Sequence, residues 1–301
     1  MNKNIQKYKS LLKKEKENHR LAFVIGNGIN RRINKKEQSW QDKIIELCKD
    51  SKIDITKIPL GISETELFDI IRIKSNVRDI KKEIADFFMC KEQGRYDNEY
   101  KKYQKAFKEK WNVPIMTTNF DQRLEKGLYY TIYRIKDFPK FFSRFYPWNV
   151  YYSEKLTPTD DPSKNFSIWH INGMCIYKDS IRFGLLDYMN IVAKTKEYLY
   201  PLNSETSFVE KKWEGTWLNI FMDSTLCIFG LSLDVNETYL RWLLIQRKIY
   251  HDKRPLENLG GYYLTPDRVD RGKRFFLESL GIKVIKLKSY DELYKDFLEL
   301  E

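Results

Sequence analysis

Two short apolar runs, each ended by a glycine, constrain the fold of this chain more than any other feature. Leu21–Ile25 is followed by Gly26, and the run at 226–229 is followed by Gly230. Continuous apolar runs of this length are typical of parallel strands that are buried on both faces. Further strand-like runs lie at 113–116, 129–133, 166–169, 262–264 and 282–287. Helical patterns separate most of them, so we predict an α/β fold with a parallel sheet and helices on both faces.

Residues 39–110 differ from the rest of the chain because they carry helical periodicity and no strand signal. We therefore predict that a helical insertion at 39–110 interrupts a sheet domain formed by 1–38 and 111–301. A second unusual segment, 136–161, is aromatic and contains proline. We expect it to lie at an edge of the core. A flap near a pocket, a ligand-stacking wall and an oligomer contact remain open for residues 138–152.

Composition narrows the class of protein. The chain of 301 residues is 42% hydrophobic and 32% charged, and no apolar run is long enough to span a bilayer. The lysine-rich start, Met1 to Lys16, is not followed by a signal-peptide core, so we expect a cytoplasmic protein with no membrane partner. The net charge of +12 leaves nucleic acid possible as a partner, but the lysines are spread widely and favour a solvated surface instead.

The cysteines give a further constraint. Cys48, Cys90, Cys175 and Cys227 form no Cys-x-x-Cys pair, so neither a zinc ribbon nor a disulfide framework is indicated. We expect no bound metal.

The motif Gly26-Asn27-Gly28-Ile29-Asn30 follows the first apolar run. Paired glycines after a buried strand allow a tight turn and let backbone N–H groups approach a pyrophosphate, and the two asparagines beside them can bind ribose hydroxyls or a nicotinamide end. The third glycine of the dehydrogenase fingerprint is replaced by Arg31, and no acidic residue ends a second strand about 20 residues later. An ordinary dehydrogenase is therefore disfavoured, and a plain strand-to-helix turn stays open.

Polar residues also follow the strands at 113–116 and 166–169. Asn119 is a neutral amide that can hold a ribose hydroxyl or an attacking water, although a turn-forming asparagine is the simpler alternative. Asp121 is better explained as the cap of a helix running through Leu124. His170 lies at a strand end and titrates in the range suited to a general base. His19 and His251 are expected to be structural.

The fourth motif is Gly230-Leu231-Ser232-Leu233-Asp234. Gly230 permits close backbone approach, while Ser232 and Asp234 can contact phosphate or ribose, or cap the helix after Asn236. In parallel sheets of this kind the loops after the strands lie along one edge. We therefore predict that the four motifs form the walls of one NAD pocket.

As a set, these motifs resemble the sirtuin family, and in detail its bacterial sirtuin-like NAD hydrolase branch, found in antiphage defence systems. The resemblance spans roughly residues 20 to 300. Its matching elements are the Gly-Asn-Gly-Ile-Asn start with Ser39-Trp40 after it, Thr-Thr-Asn-Phe-Asp at 117–121, His-x-x-Gly at 170–173, Asp187-Tyr188, Phe-Gly-Leu-Ser-Leu-Asp at 229–234 and the closing strand at 281–285.

The resemblance implies a Rossmann-like, sirtuin-like NAD-binding domain and cleavage of NAD+ to nicotinamide and ADP-ribose or a cyclised relative. It assigns Asn119 and His170 as catalytic residues. It places the following residues at the cofactor: Gly26, Asn27, Gly28, Asn30, Ser232 and Asp234. To these we add Thr118, Asp121 and Gly230 from the same motifs as predicted cofactor-binding residues. Family members deplete NAD in infected cells. Many form homo-oligomers and depend on a separate sensor, filament or ATPase partner.

Two alternatives remain open. Sirtuin deacylases commonly carry a four-cysteine zinc ribbon, which this chain lacks, and the helical stretch after the first turn also favours water over an acyl-lysine as acceptor. The second alternative is a sensor that binds NAD or ADP-ribose without cleaving it.

Overall fold

The structure is a computed structural model that describes residues 3–58, 61–75, 79–89, 96–126, 130–135, 146–156, 158–200, 213–253 and 259–300. Within them, an eight-stranded sheet has the order β3-β4-β5-β2-β1-β6-β7-β8. The strands are β1 (Leu21–Ile25), β2 (Pro114–Thr117), β3 (Tyr130–Arg134), β4 (Val150–Glu154), β5 (Ser167–His170), β6 (Thr225–Phe229), β7 (Gly261–Thr265) and β8 (Ile282–Lys286).

The sheet is mostly parallel, which confirms the α/β prediction. All neighbours within the part of the sheet ordered β5-β2-β1-β6-β7-β8 pair in parallel. At the remaining edge, β4 pairs antiparallel with both β3 and β5. The expectation of a wholly parallel sheet is therefore wrong at this edge. A parallel pair needs a crossover of a dozen or more residues, usually a helix, whereas strands that follow each other in the chain can pair antiparallel without one. β3 and β4 are consecutive in the chain and are neighbours in the sheet.

Helices surround the sheet. They are α1 (Lys3–Glu17), α2 (Gly28–Ile33), α3 (Trp40–Asp50), α4 (Glu64–Lys74), α5 (Ile80–Phe88), α6 (Asp97–Lys105), α7 (Leu185–Leu199), α8 (Trp217–Asp223), α9 (Thr238–Asp252) and α10 (Arg271–Ser279). π-helical turns follow at Ala106–Trp111 and Glu292–Phe297. Among the described helices, none has the length and apolar character needed to cross a bilayer.

The alternation of side chains along β1 explains the layered core. Ala22 and Val24 pack into one apolar cluster with α7, α8 and α9, while Phe23 and Ile25 pack into a second cluster with α1 and the two π-helical turns. All five residues of β1 are buried. Successive residues of a strand point to opposite faces, so a strand covered on both sides must be apolar throughout.

The described part of 39–110 is helical but divides into two groups. Helices α3, α4 and α5 share a small core that includes Leu47, Phe68 and Phe88, and the loops after β2 and β5 contribute Phe120 and Phe183 to it. Helix α6 and the turn after it instead pack on the sheet. The boundaries that we predict for the insertion stay a prediction, but its first half is the part that reaches the strand ends.

Capping fixes where two insertion helices begin. Ser39 and Asp42 form a capping box at the start of α3, and Ser63 and Glu66 form another at the start of α4. Such reciprocal side-chain bonds satisfy N–H groups that the first helical turn leaves unpaired.

The aromatic segment 136–161 is only partly described. Its described residues include β4, and Tyr146 and Trp148 are buried in the core. The Trp148 ring stacks on Trp217 of α8, with ring centroids 5.2 Å apart. Phe141, Phe142 and Phe145 lie outside the described residues. The described portion is thus part of the sheet edge and its core.

Candidate functional site

The site lies at the point in the sheet where the strand order reverses. From β1 the chain continues to β2 on one side, and β6 lies on the other side of β1. Ligands of open α/β sheets bind at such a switch point, outside the carboxyl ends of the strands. A cleft of about 620 Å³ lies at this edge. That volume is in the range of small-molecule sites.

The four sequence motifs meet at this cleft, but not all of their residues line it. The predicted residues in its lining are Asn27, Gly28, Thr118, Asn119, Asp121, Gly230, Ser232 and Asp234. Gly26, Asn30 and His170 are buried outside the lining that the described residues form.

The turns at Gly26–Gly28 and Gly230 contact each other, so the backbone N–H of Gly28, expected to bind a pyrophosphate, serves the packing of the turns instead. The N–H of Gly28 donates to the carbonyl oxygen of Gly230 at 2.7 Å, so it is not available to a phosphate. A Cβ at Gly28 would overlap the hydroxyl of Tyr294 and lie 2.6 Å from the Cα of Gly230. Gly230 also has a φ of +69°, which favours glycine. These glycines are needed for the packing of the two turns.

Asn30 is a positioning residue in this structure, and the predicted direct contact with a cofactor is not available to it. Its side chain is 1% exposed, and its Nδ2 donates to Asn27 Oδ1 and Asp121 Oδ2, both at 2.9 Å. Its Oδ1 accepts a hydrogen bond from the hydroxyl of Tyr100 at 2.9 Å. Every polar atom of the carboxamide therefore has a protein partner, and the network holds Asn27 and Asp121 at the cleft.

Asp121 does not cap a helix. Its Oδ1 accepts from the backbone N–H of Arg123 at 3.1 Å, and the described residues after it form turns. The prediction of a helix running through Leu124 is therefore wrong. An aspartate bonded to the backbone two residues ahead stabilises a turn, which competes with helix formation.

Asn119 lies in the cleft with a fixed backbone and a partly exposed side chain. Its N–H donates to Thr117 Oγ1 at 3.1 Å, and its Nδ2 donates to the carbonyl oxygen of Gly26 at 3.4 Å. No described residue donates to its Oδ1. The carboxamide oxygen is therefore available as an acceptor for a hydroxyl or a water.

His170 is placed differently from what a general base requires. Its side chain is fully buried. Nδ1 lies 2.7 Å from the backbone oxygen of Asn119, and Nε2 lies 2.6 Å from Oε1 of Glu125. With both nitrogens bonded to protein, the imidazole cannot reach a proton of a molecule in the cleft. The general-base role is not available in this arrangement, because Glu125 and Asn119 occupy both ring nitrogens.

Charged side chains of both signs line the cleft. Arg31 and Lys35 after β1, and Arg268 and Lys273 after β7, bring cations to its lining. Carboxylates line it as well, and they are Asp121, Asp234, Glu237 and Asp267. Burial raises the pKa of Glu237 to about 7, with added repulsion from Asp234 and Glu64. Asp234 is held in its turn, since its Oδ1 accepts from the N–H of Asn236 at 2.9 Å.

Several lining residues were not predicted. The loop 266–269 follows β7 and could have been found by the rule used for the other strands. Asn172 is 5% exposed, and its Oδ1 has no hydrogen-bond partner among the described residues. Tyr294 reaches the glycine turns from the far end of the chain and carries no sequence signal beyond that of a core aromatic.

Comparison with known proteins adds nothing to this geometry. No family model matches the chain, and no curated protein matches it significantly. Among the described residues, no group of three or more histidine, cysteine, aspartate and glutamate side chains could hold a metal ion.

Proposed function

We propose that this chain is an NAD+ glycohydrolase with a Rossmann-like, sirtuin-like domain. The observation that carries the proposal is the convergence of four strand-end motifs on one cleft, with Asn119 in its lining beside the glycine turn that follows β1. The motif resemblance supplies the reaction, and the geometry supplies a site of suitable size at the edge where such sheets bind nucleotides.

The reaction breaks the bond between the nicotinamide nitrogen and the anomeric carbon of the ribose. The electron pair of that bond leaves with nicotinamide, the oxygen of water forms the new bond to the carbon, and one proton is released to solvent. The positive charge of the nicotinamide ring is thereby neutralised and passes in the transition state to the ribose. Asn119 would orient the ribose hydroxyls and the water through its free Oδ1. Preorganised dipoles of this kind lower barriers by about 3 to 4 kcal/mol for each well-placed group.

The charge distribution of the cleft supports this substrate. NAD+ carries a negatively charged pyrophosphate and a positively charged nicotinamide ring. The lining cations Arg31, Lys35, Arg268 and Lys273 suit the pyrophosphate, and the lining carboxylates, Glu237 among them, suit the cationic ring. The substrate is NAD+ itself, and the proposed chemistry uses no metal.

The biological setting follows from the motif resemblance. As an abortive-infection effector, the protein would deplete NAD+ in the cytoplasm of an infected cell. It would act as a homo-oligomer, with a separate sensor or ATPase partner that detects the phage.

The test is a chromatogram of NAD+ incubated with the purified protein, alone and with the products of neighbouring genes. We expect release of nicotinamide and ADP-ribose. Asn119→Ala is expected to lower the rate by about 100- to 1,000-fold, the usual cost of removing one preorganised polar group. Asn190→Ala, at an exposed position on α7 outside the cleft lining, is the matched control and should keep the parent rate. Equal rates for Asn119→Ala and the parent would reject the proposal.

The burial of His170 favours a second candidate, a sensor that binds NAD or ADP-ribose without cleaving it. A site whose imidazole is bonded to protein at both nitrogens can bind a nucleotide without supplying a base. Calorimetry that shows tight NAD+ binding, together with no nicotinamide release in the presence of native partners, would select this candidate.

A further inference from the structure

His170 and Glu125 form a buried pair directly behind Asn119. The imidazole is 0% exposed and the Glu125 side chain is 3% exposed. A carbonyl oxygen can only accept, so the 2.7 Å contact with Asn119 requires a hydrogen on Nδ1 of His170. The 2.6 Å contact with Glu125 then holds one further proton between Nε2 and Oε1. The pair therefore retains a proton that an isolated neutral histidine and an isolated carboxylate would not carry.

The surroundings favour retention of that proton. Burial alone would lower the pKa of His170, but the negative charge of Glu125 and its hydrogen bond, together with the Asn119 carbonyl, outweigh burial and raise it. Asp121 adds further negative charge. Tyr152 of β4 packs its ring edge-on against the imidazole, at 5.8 Å between centroids, and Tyr130 of β3 lies near Glu125.

A purely structural origin explains this pair poorly. Oε2 of Glu125 is buried and has no hydrogen-bond partner among the described residues. Buried ion pairs with an unsatisfied oxygen contribute less to stability than apolar side chains of similar volume would. What the pair does achieve is to fix the peptide of Asn119, whose N–H and side chain are already bonded to Thr117 and Gly26.

We propose that His170 and Glu125 act together as a proton-holding clamp on the Asn119 peptide, which makes Glu125 a positioning residue for the cleft. The expected effect of the clamp on catalysis rests on the proposed function, whereas the presence of the clamp does not depend on it. Asn119 is held by three hydrogen bonds, through its N–H, its side-chain Nδ2 and its carbonyl oxygen. The clamp supplies the bond to the carbonyl oxygen. Loss of the Glu125 charge releases the proton, weakens the bond to the carbonyl and lets the carboxamide at the cleft shift.

The first experiment needs no variant. The chain has 3 histidines, so protein labelled with 15N-histidine gives few ring signals, and His170→Asn assigns the relevant one. We expect both ring nitrogens of His170 to carry hydrogen at pH 7.5. An imidazole that titrates near 6.5, as an ordinary histidine does, would overturn the clamp.

The second experiment uses Glu125→Gln, which keeps the shape and removes the charge. We expect His170 to lose its second ring proton, and kcat for NAD+ cleavage to fall about 10- to 100-fold with little change in KM, as for a slightly misplaced catalytic group. Glu125→Asp keeps the charge and should recover part of kcat. Glu99→Gln, at an exposed ion pair on α6, is the matched control.

The outcomes separate the two proposals. If Glu125→Gln folds and keeps both the ring protons and the parent kcat, the clamp is wrong. If the parent protein cleaves no NAD+ but His170 keeps both ring protons and loses one in Glu125→Gln, the clamp stands and the glycohydrolase proposal fails.

Discussion

The surroundings of His170 and His251 differ in one decisive respect. Both imidazoles are buried, both lie 2.7 Å from a backbone carbonyl oxygen, and both pack against a tyrosine ring. The pKa of His170 is nevertheless raised, whereas that of His251 is lowered by burial and by the charge of Arg247. Burial penalises the charged imidazole in both places, so the sign of the nearest charge determines the outcome.

The neighbour of His251 serves the scaffold. Arg247 is 2% exposed and donates to the carbonyl oxygens of Phe221, Ser224, Leu259 and Gly260. Burial lowers its pKa to about 9. Its bonds join α9 to α8, to the start of β6 and to the chain that enters β7. A cation among carbonyls stabilises the scaffold, whereas a carboxylate beside His170 holds a proton behind the cleft.

The largest expected effect is on stability. His170→Ala leaves the Glu125 carboxylate buried without its partner, and we expect the free energy of unfolding to fall by about 3 to 5 kcal/mol. His251→Ala removes a donor from the carbonyls of Met222 and Leu259 but leaves no buried charge unpaired, and should cost about 1 to 3 kcal/mol. Urea denaturation at pH 7 measures both. Equal losses for the two variants would show that the charge of the neighbour does not distinguish the sites.

The next effect concerns the pH dependence of activity. Neither histidine faces the cleft, whereas Glu237 lines it with a pKa of about 7. Ionised Glu237 should stabilise the positive charge of the transition state, so kcat/KM is expected to rise about tenfold from pH 6 to its plateau above about pH 8. In Glu237→Gln the profile between pH 6 and 8 should be flat. A parent profile that survives this substitution would assign the titration to another group, His170 included.

The smallest effect is on the pH dependence of stability, where the two histidines should act with opposite signs. The raised pKa of His170 means that its contribution is complete below 6.5 and is lost as pH rises through the folded-state value. The lowered pKa of His251 means that stability falls as pH drops below 6.5, because the unfolded chain binds the proton more readily.

Urea midpoints from pH 5 to 9 test these slopes. His251→Gln should remove part of the loss on the acid side, and His170→Asn should remove part of the loss on the alkaline side. A His170→Asn curve parallel to the parent curve above pH 6.5 would contradict the assignment.

The sheet could be predicted because its signal is local. β1 and β6 are continuous apolar runs, and each needs only its own five residues to be identified. β4 was not predicted, since its run of aromatic residues follows a proline and does not alternate. The position of the cleft also followed from the strands, because residues after parallel strands meet at one edge.

The chemistry around each site residue could not be predicted, since it depends on distant partners. Asn30 was expected at the cofactor, but Tyr100 of α6 occupies its side-chain oxygen. His170 was expected to act as a general base, but Glu125, 45 positions earlier, reaches its Nε2. No pattern within a short window shows which of two polar groups will be paired across the fold.

The hydroxyl of Tyr294 lies between Gly28 and Gly230 and has no hydrogen-bond partner among the described residues. This contact joins the turn after β1 to the π-helical turn that follows β8. A nascent chain that has emerged only through β8 still lacks that wall of the cleft. The cleft therefore gains its full lining only after the π-helical turn that carries Tyr294 has packed against the two glycine turns.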